Sequence, residues 1–112
     1  MARLNYLELP VRDVAEVRGF YEGAFGWTFT DFGPSYSATM TGDTDVGLNG
    51  DPAESTVALL PVIEVGDLEA TLAAVEGAGG SVTQPIFSFP GGRRFHFRDP
   101  AGHEIAAMQP SA

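Results

Sequence analysis

The first predicted strand carries a carboxylate and a phenol on the same side. Alternation along this strand places Tyr6 and Glu8 on one face, and Leu7 and Leu9 on the other. A carboxylate that faces inward among aromatic rings can act as a general acid or base, and a phenol beside it can donate a hydrogen bond to a carbonyl group. The alternative is structural: Glu8 pairs with Arg94 or another arginine, or lies at a wet rim.

The two histidines, His96 and His103, flank a predicted turn near the end of the chain. A four-residue turn over residues 99–102 would place Glu104 and both histidines on opposite faces of the hairpin. The residues predicted to share the Glu104 face are Phe95, Phe97 and Ala106. Because the imidazoles and the carboxylate are then separated, we predict that they do not share a metal ion.

These residues belong to two halves of one repeated pattern. Asp13 and Asp67 each follow a predicted strand, 54 residues apart, and Glu22 returns as Glu76 at the same offset. A fixed offset over separate matches indicates an internal repeat. In each copy the aspartate is the N-cap of a predicted helix.

A polar connector with Gly and Pro, residues 50–55, lies between the two copies. We predict one domain over residues 1–112, made of two modules, 1–50 and 56–110, each with the order β-α-β-β-β. The fold class is therefore α+β, with each helix packed on one face of a mostly antiparallel sheet. Halves of this size bury little surface alone, so they share a core or are completed by a second subunit.

The composition excludes several classes of function. The 112 residues contain six Lys+Arg and 15 Asp+Glu, a net charge of −9, so nucleic-acid and anionic membrane partners are disfavoured. There is no cysteine, which excludes disulfide and thiolate chemistry. The N-terminal residues show no signal-peptide pattern, and no segment approaches the roughly 20 apolar residues of a membrane span. We therefore predict a cytoplasmic protein.

Three stretches of the chain match one known family pattern: residues 9–13 (LPVRD), 20–27 (FYEGAFGW) and 97–105 (FRDPAGHEI). By these motifs the chain resembles the vicinal oxygen chelate superfamily, also called the glyoxalase/bleomycin resistance protein/dioxygenase superfamily. The resemblance covers almost the whole chain. It implies two βαβββ modules that form a cupped, mostly antiparallel sheet around a cavity, and it implies a homodimer.

Catalytic members of that superfamily hold a divalent metal with His and Glu side chains. The positions that the resemblance implies for these ligands here are Tyr6, Leu60, Ala106 and one residue within 46–49. None of them is an imidazole or a carboxylate, and an alkyl side chain cannot bind a cation. We therefore predict no metal cofactor. The alternative is a shifted metal site that uses Glu8, Glu104, His96 or His103.

The predicted function is binding of a small molecule in an apolar, aromatic cavity with two carboxylates. The residues predicted to line it are Tyr6, Glu8, Leu60, Val62, Phe95, Phe97, Glu104, Ala106 and Met108. One alternative is a glyoxalase-like lyase, isomerase or dioxygenase that uses a shifted metal or Glu8 as acid or base. Another is an interaction module whose cup is filled by its own side chains.

Overall fold

The computed structural model describes residues 2–111, which form two compact units. One unit is Tyr6–Leu60, and the other begins at Pro61 and includes the N-terminal residues up to Asn5. The elements in chain order are β1 (Arg3–Pro10), α1 (Val14–Phe25), β2 (Phe29–Asp31), β3 (Tyr36–Thr39), β4 (Asp45–Asn49), β5 (Leu60–Glu64), α2 (Leu68–Gly77), β6 (Ser81–Phe89), β7 (Gly92–Arg98) and β8 (Glu104–Pro110).

The two modules have the same topology. In the first, β1 pairs with β4 in parallel, β4 with β3 and β3 with β2 antiparallel. In the second, β5 pairs with β8 in parallel, β8 with β7 and β7 with β6 antiparallel. The predicted α+β class and the βαβββ order of each half are therefore confirmed, and antiparallel pairs predominate within each module.

Both helices begin at the predicted aspartates. The side chain of Asp13 accepts a hydrogen bond from the backbone of Glu16 at 3.1 Å, and that of Asp67 accepts one from Ala70 at 3.0 Å. These bonds satisfy amide groups that the first helical turn leaves without a partner. Helix α1 ends at Gly26, whose φ of 70° lies in the left-handed region that glycine adopts without strain.

The core of the second module lies between α2 and one face of its strands. Leu68, Phe95 and Ala107 are almost completely buried there together with Val65. Partly buried side chains packed against this group are Ile63, Leu72, Val75, Val82, Ile86 and Phe97. Phe95 and Phe97 therefore lie on the helix side of the sheet.

The register of the β7–β8 hairpin differs from the predicted one by one residue. Arg98 pairs with Glu104, His96 with Ala106 and Phe95 with Ala107. A shift of one residue exchanges the two faces of a strand. The predicted grouping of Phe95 and Phe97 with Glu104 and Ala106 is therefore wrong: His96 shares that face, and the two phenylalanines lie on the other.

The reason for the different register is a longer turn organised by one side chain. The Asp99 carboxylate accepts hydrogen bonds from the backbone amides of Ala101 and His103, each at 2.9 Å, and its own amide donates to the carbonyl of His103 at 3.0 Å. The backbone and ring of His103 hold the pKa of Asp99 below its usual value. Asp99 and His103 thus close the turn as a pair, so the strand starts at Glu104.

Among residues 2–111, neither helix is long and apolar enough to cross a membrane.

Candidate functional site

Four polar side chains of the first module form one connected cluster, which we call the tyrosine–glutamate cluster. The hydroxyls of Tyr6 and Tyr36 lie 2.6 Å apart, and the Tyr36 hydroxyl donates to Oε1 of Glu8 at 3.0 Å. Nδ2 of Asn49 donates to Oε2 of Glu8 at 3.4 Å. Glu8 is only 2% exposed, so it does not lie at a wet rim. The predicted pair Tyr6 and Glu8 is thus part of a larger buried network.

Strand register brings these residues to one face. Glu8 is opposite Gly47 in the parallel β1–β4 pair, and Tyr36 is opposite Asn49 in the antiparallel β3–β4 pair. Gly47 is the residue that makes the cluster possible. A Cβ atom at this position would lie 2.0 Å from the Tyr6 hydroxyl and 2.2 Å from the Tyr36 hydroxyl. The two phenols therefore occupy the space that any other residue at position 47 would fill.

The direction of the hydrogen bonds follows from the number of protons. Each phenol has one proton, and Tyr36 uses its proton to reach the Glu8 carboxylate. In the Tyr6–Tyr36 contact, Tyr6 is therefore the donor and Tyr36 the acceptor. Because this bond uses the only hydroxyl proton of Tyr6, the Tyr6 oxygen can only accept a hydrogen bond from any further group.

The cluster predicts an alkaline loss of stability that depends on Tyr36. Burial, followed by repulsion from the Glu8 charge, raises the pKa of Tyr36 well above its usual value of about 10. Above about pH 10 the unfolded chain releases the Tyr36 proton while the folded protein retains it. The contribution of Tyr36 to the free energy of unfolding is therefore fully present below that pH and is lost as the pH rises.

We expect the free energy of unfolding of the wild type to fall by about 1.4 kcal/mol more per pH unit than that of Tyr36→Phe once the unfolded phenol ionises. Urea denaturation at several alkaline pH values measures the two slopes. Equal slopes would mean that Tyr36 ionises as readily in the folded protein as in the unfolded chain.

The second module places a histidine–glutamate pair on the sheet face opposite its core. Nδ1 of His96 lies 2.9 Å from Oε2 of Glu104. The side chain of His96 is 3% exposed and that of Glu104 is 27% exposed. The predicted separation of Glu104 from both histidines is therefore wrong for His96. His103 does not contact Glu104 through this pair: it lies at the turn, where Nδ1 of its ring is 3.0 Å from Oδ2 of Asp99.

Three aliphatic residues of the predicted lining are buried in the strands. Leu60 and Ala106 are completely buried and Val62 is 3% exposed. Val62 and Ala106 are cross-strand partners in the β5–β8 pair, and Met108, which is partly exposed, follows on the same face. Their contact with a ligand stays a prediction, as does that of Phe95 and Phe97, which the register places on the core side.

Metal-ligating side chains do not gather into a larger group. Within residues 2–111, no cluster of three or more His, Asp and Glu side chains could hold a metal ion. In the first module, the ligand positions implied by the family resemblance are occupied by Tyr6 and by a β4 segment, residues 46–49, that contains no histidine or carboxylate.

Comparison of the sequence with known proteins identifies one family. The sequence profile of the Glyoxalase/Bleomycin resistance protein/Dioxygenase superfamily matches residues 3–107. A Mycobacterium bovis protein named "Putative glyoxylase CFP32" is 28% identical over 116 residues, which cover 94% of this chain and 44% of that protein. A Mycobacterium tuberculosis protein of the same name matches to the same extent. The chain thus spans less than half the length of these relatives.

Solved structures share the fold at low sequence identity. A glyoxalase/bleomycin resistance protein/dioxygenase superfamily member from Vibrio splendidus superposes with a TM-score of 0.75 at 18% identity, covering 97% of this chain and 99% of that one. A Legionella pneumophila structure described as an NAD-dependent benzaldehyde dehydrogenase gives 0.77 at 17% identity, covering 96% and 99%. Since these names differ in chemistry, the likeness identifies the fold alone.

Proposed function

This chain belongs to the glyoxalase/bleomycin resistance protein/dioxygenase superfamily, and from that premise we propose that it binds a small organic molecule at the tyrosine–glutamate cluster without the divalent metal of catalytic members. The observation that carries the proposal is the buried Glu8 carboxylate, which is 2% exposed and bound by Tyr36 and Asn49.

A buried carboxylate is expensive for folding alone. Removing a charge from water costs several kcal/mol even after relaxation, by order-of-magnitude estimates, and interactions inside the protein have to offset this cost. Polar groups retained at such a cost often serve a site, although structural ion pairs share this property. The cost of Glu8 therefore favours binding over a cup filled only by side chains that stabilise the fold.

The orientation of the bonds suggests the polarity of the ligand. Tyr6 donates to Tyr36 and Tyr36 donates to Glu8, so the cluster offers oxygen lone pairs. The chain as a whole carries a net charge of −9, which attracts cations. We therefore favour a ligand with an amine or amidine donor attached to an apolar body.

The residues at the implied metal positions support a metal-free site. Tyr6 takes the place of the first-strand ligand, and the buried Leu60 and Ala106 offer only carbon. Neutral phenols are weak ligands for the borderline cations that His and Glu bind. Elemental analysis of the purified protein tests this point directly: stoichiometric zinc, nickel, iron or manganese would refute the metal-free proposal.

A matched pair of probes tests ligand polarity. We expect benzylamine to raise the Tm of the wild type more than benzyl alcohol does, because only benzylamine carries an ammonium group. Glu8→Gln keeps a polar side chain of the same shape but removes the charge, and it should abolish the difference between the probes. Glu54→Gln, in the exposed connector, is the control and should retain it. Equal responses of wild type and Glu8→Gln would contradict the proposal.

A second candidate function is metal-free acid–base catalysis by Glu8. The observation in its favour is the continuous chain from Tyr6 through Tyr36 to Glu8, along which a proton can be transferred. A glyoxalase assay with the hemithioacetal of methylglyoxal and glutathione, run with a chelator, separates the two candidates. Turnover that Glu8→Gln abolishes would establish catalysis, and its absence together with benzylamine binding would favour a binding protein.

The homodimer implied by the family resemblance is also part of the proposal. The exposed face of α1 and the segment after it carries large apolar side chains: Phe20 and Phe25 are about two-thirds exposed, at 61% and 62%, and Trp27 is 39% exposed. Apolar groups in contact with water at this density favour association. Light scattering on the purified chain measures the mass, and a monomer at micromolar concentration would exclude the dimer.

A further inference from the structure

The His96–Glu104 pair of the second module is a separate feature from the tyrosine–glutamate cluster. We propose that His96, oriented by Glu104, forms a second binding site. There, its ring accepts a hydrogen bond from the N–H group of a neutral, planar heteroaromatic molecule. None of the residues that carry this inference belongs to the tyrosine–glutamate cluster.

Glu104 determines which nitrogen of His96 carries the proton. A carboxylate only accepts hydrogen bonds, so Nδ1, 2.9 Å from Oε2 of Glu104, is the donor. In the neutral ring the other nitrogen, Nε2, is then an acceptor. This is the arrangement by which a carboxylate fixes the tautomer of a histidine that acts through its second nitrogen.

The acceptor nitrogen of His96 is buried. His96 is 2% exposed, and within residues 2–111 its Nε2 has no hydrogen-bond partner. Buried polar atoms in native proteins are nearly always hydrogen-bonded, so an exception requires an explanation. A ligand that brings its own donor to Nε2 supplies one.

His103 shows that pairing with a carboxylate does not by itself produce a buried ring nitrogen that lacks a hydrogen-bond partner. The ring of His103 lies 3.0 Å from Oδ2 of Asp99, the same kind of contact. Its side chain is 72% exposed, however, so water can reach its other nitrogen. The burial of Nε2, rather than the carboxylate, is what distinguishes His96, and it makes His103 a natural control.

Neighbouring groups indicate the class of ligand. The ring of Phe87 lies 5.8 Å from that of His96, and the guanidinium of Arg94 lies 5.2 Å from the centroid of Phe87. The planar surfaces favour a flat molecule, because aromatic rings and guanidinium groups stack on such molecules. Arg94 and Glu104 have opposite charges on the same face as His96, so their effects on a charged ligand oppose each other and this face gives no net preference for a cation or an anion.

Indole and 1-methylindole are a matched pair of probes for this contact. Both are flat and neutral, but only indole has an N–H donor. Nitrogen-15 NMR of the imidazole rings reports the tautomer, and we expect the neutral His96 ring to carry its proton on Nδ1. Indole should shift the Nε2 resonance of His96 in a saturable manner, and it should bind about tenfold more tightly than 1-methylindole, as the loss of one buried hydrogen bond implies.

Three variants complete the experiment. His96→Leu should weaken indole binding to the level of 1-methylindole, whereas His103→Gln should leave both affinities unchanged. Because His96→Leu replaces a buried side chain, Glu104→Gln serves as a second variant: the amide can donate to Nδ1, which moves the ring proton to Nε2 and removes the acceptor without emptying the site. It should abolish the preference for indole in a protein that still folds.

Any of three results would overturn the inference. One is a neutral His96 ring in the wild type with its proton on Nε2. Another is an equal affinity for indole and 1-methylindole. The third is the absence of any His96 shift up to the solubility limit of indole.

Discussion

Replacing Phe95 by alanine is expected to lower the free energy of unfolding by about 3–5 kcal/mol. Phe95 is completely buried and packs with Leu68 and Ala107 between α2 and the sheet of the second module. The loss combines the lost transfer of a large aromatic side chain out of water with the cavity that remains when the surroundings relax incompletely. Urea denaturation followed by circular dichroism measures it.

Two further variants separate burial from ring size. Phe95→Leu keeps most of the volume and should lose much less stability than Phe95→Ala, because volume-conserving exchanges are tolerated best. Phe32→Ala removes the same ring from a side chain that is 54% exposed and lies outside the proposed dimer surface, and it should change stability by only about 0.5 kcal/mol. A loss for Phe95→Ala no larger than that for Phe32→Ala would mean that the Phe95 ring does not pack in this core.

The Phe95 prediction depends on a register that the sequence pattern did not reveal. If the turn had four residues, Phe95 would pair with Ala106 on the same face as Glu104, and its replacement would alter the predicted cavity more than the core. In the structure, Asp99 binds the amides of Ala101 and His103, which lengthens the turn by one residue. The signal was present, since aspartate at the start of a turn commonly bonds to the backbone two residues on, but turn length decides the faces of every residue that follows.

Local signals, by contrast, were sufficient for the architecture. The N-cap residues Asp13 and Asp67 and the repeated order of elements depend on neighbours in sequence, and both were predicted correctly. Tyr6 and Glu8 were predicted to share a face because alternation within one strand is also local. The structure confirms this by placing both in one hydrogen-bonded cluster.

The other members of the tyrosine–glutamate cluster could not be predicted from local sequence patterns. Tyr36 and Asn49 reach Glu8 from strands that are 28 and 41 residues away along the chain. Their contact depends on the pairing of β4 with both β1 and β3, which a single sequence does not specify. Nothing in the sequence alone distinguishes Gly47, because its role is to leave space for two hydroxyl groups that come from other strands.

Gly47→Ala is therefore the substitution with the second largest expected effect, a loss of about 1–3 kcal/mol. The added Cβ would lie 2.0 Å from the Tyr6 hydroxyl and 2.2 Å from that of Tyr36, far inside contact distance. At least one phenol must move, which breaks the bonds that connect Tyr6 and Tyr36 to Glu8. We expect the same variant to lose its preference for benzylamine over benzyl alcohol, because the acceptor chain is no longer continuous.

A control and a rescue test whether the hydroxyls are the cause. Gly23→Ala, in α1, adds the same methyl group where nothing lies within 4 Å, and it should increase stability by about 0.5–1 kcal/mol. In a double-mutant cycle, adding Tyr6→Phe to Gly47→Ala should recover part of the lost stability, because the closest clashing atom is gone. Strictly additive effects would show that Gly47 and Tyr6 do not compete for one space, and the cluster would then not depend on the absence of a side chain at position 47.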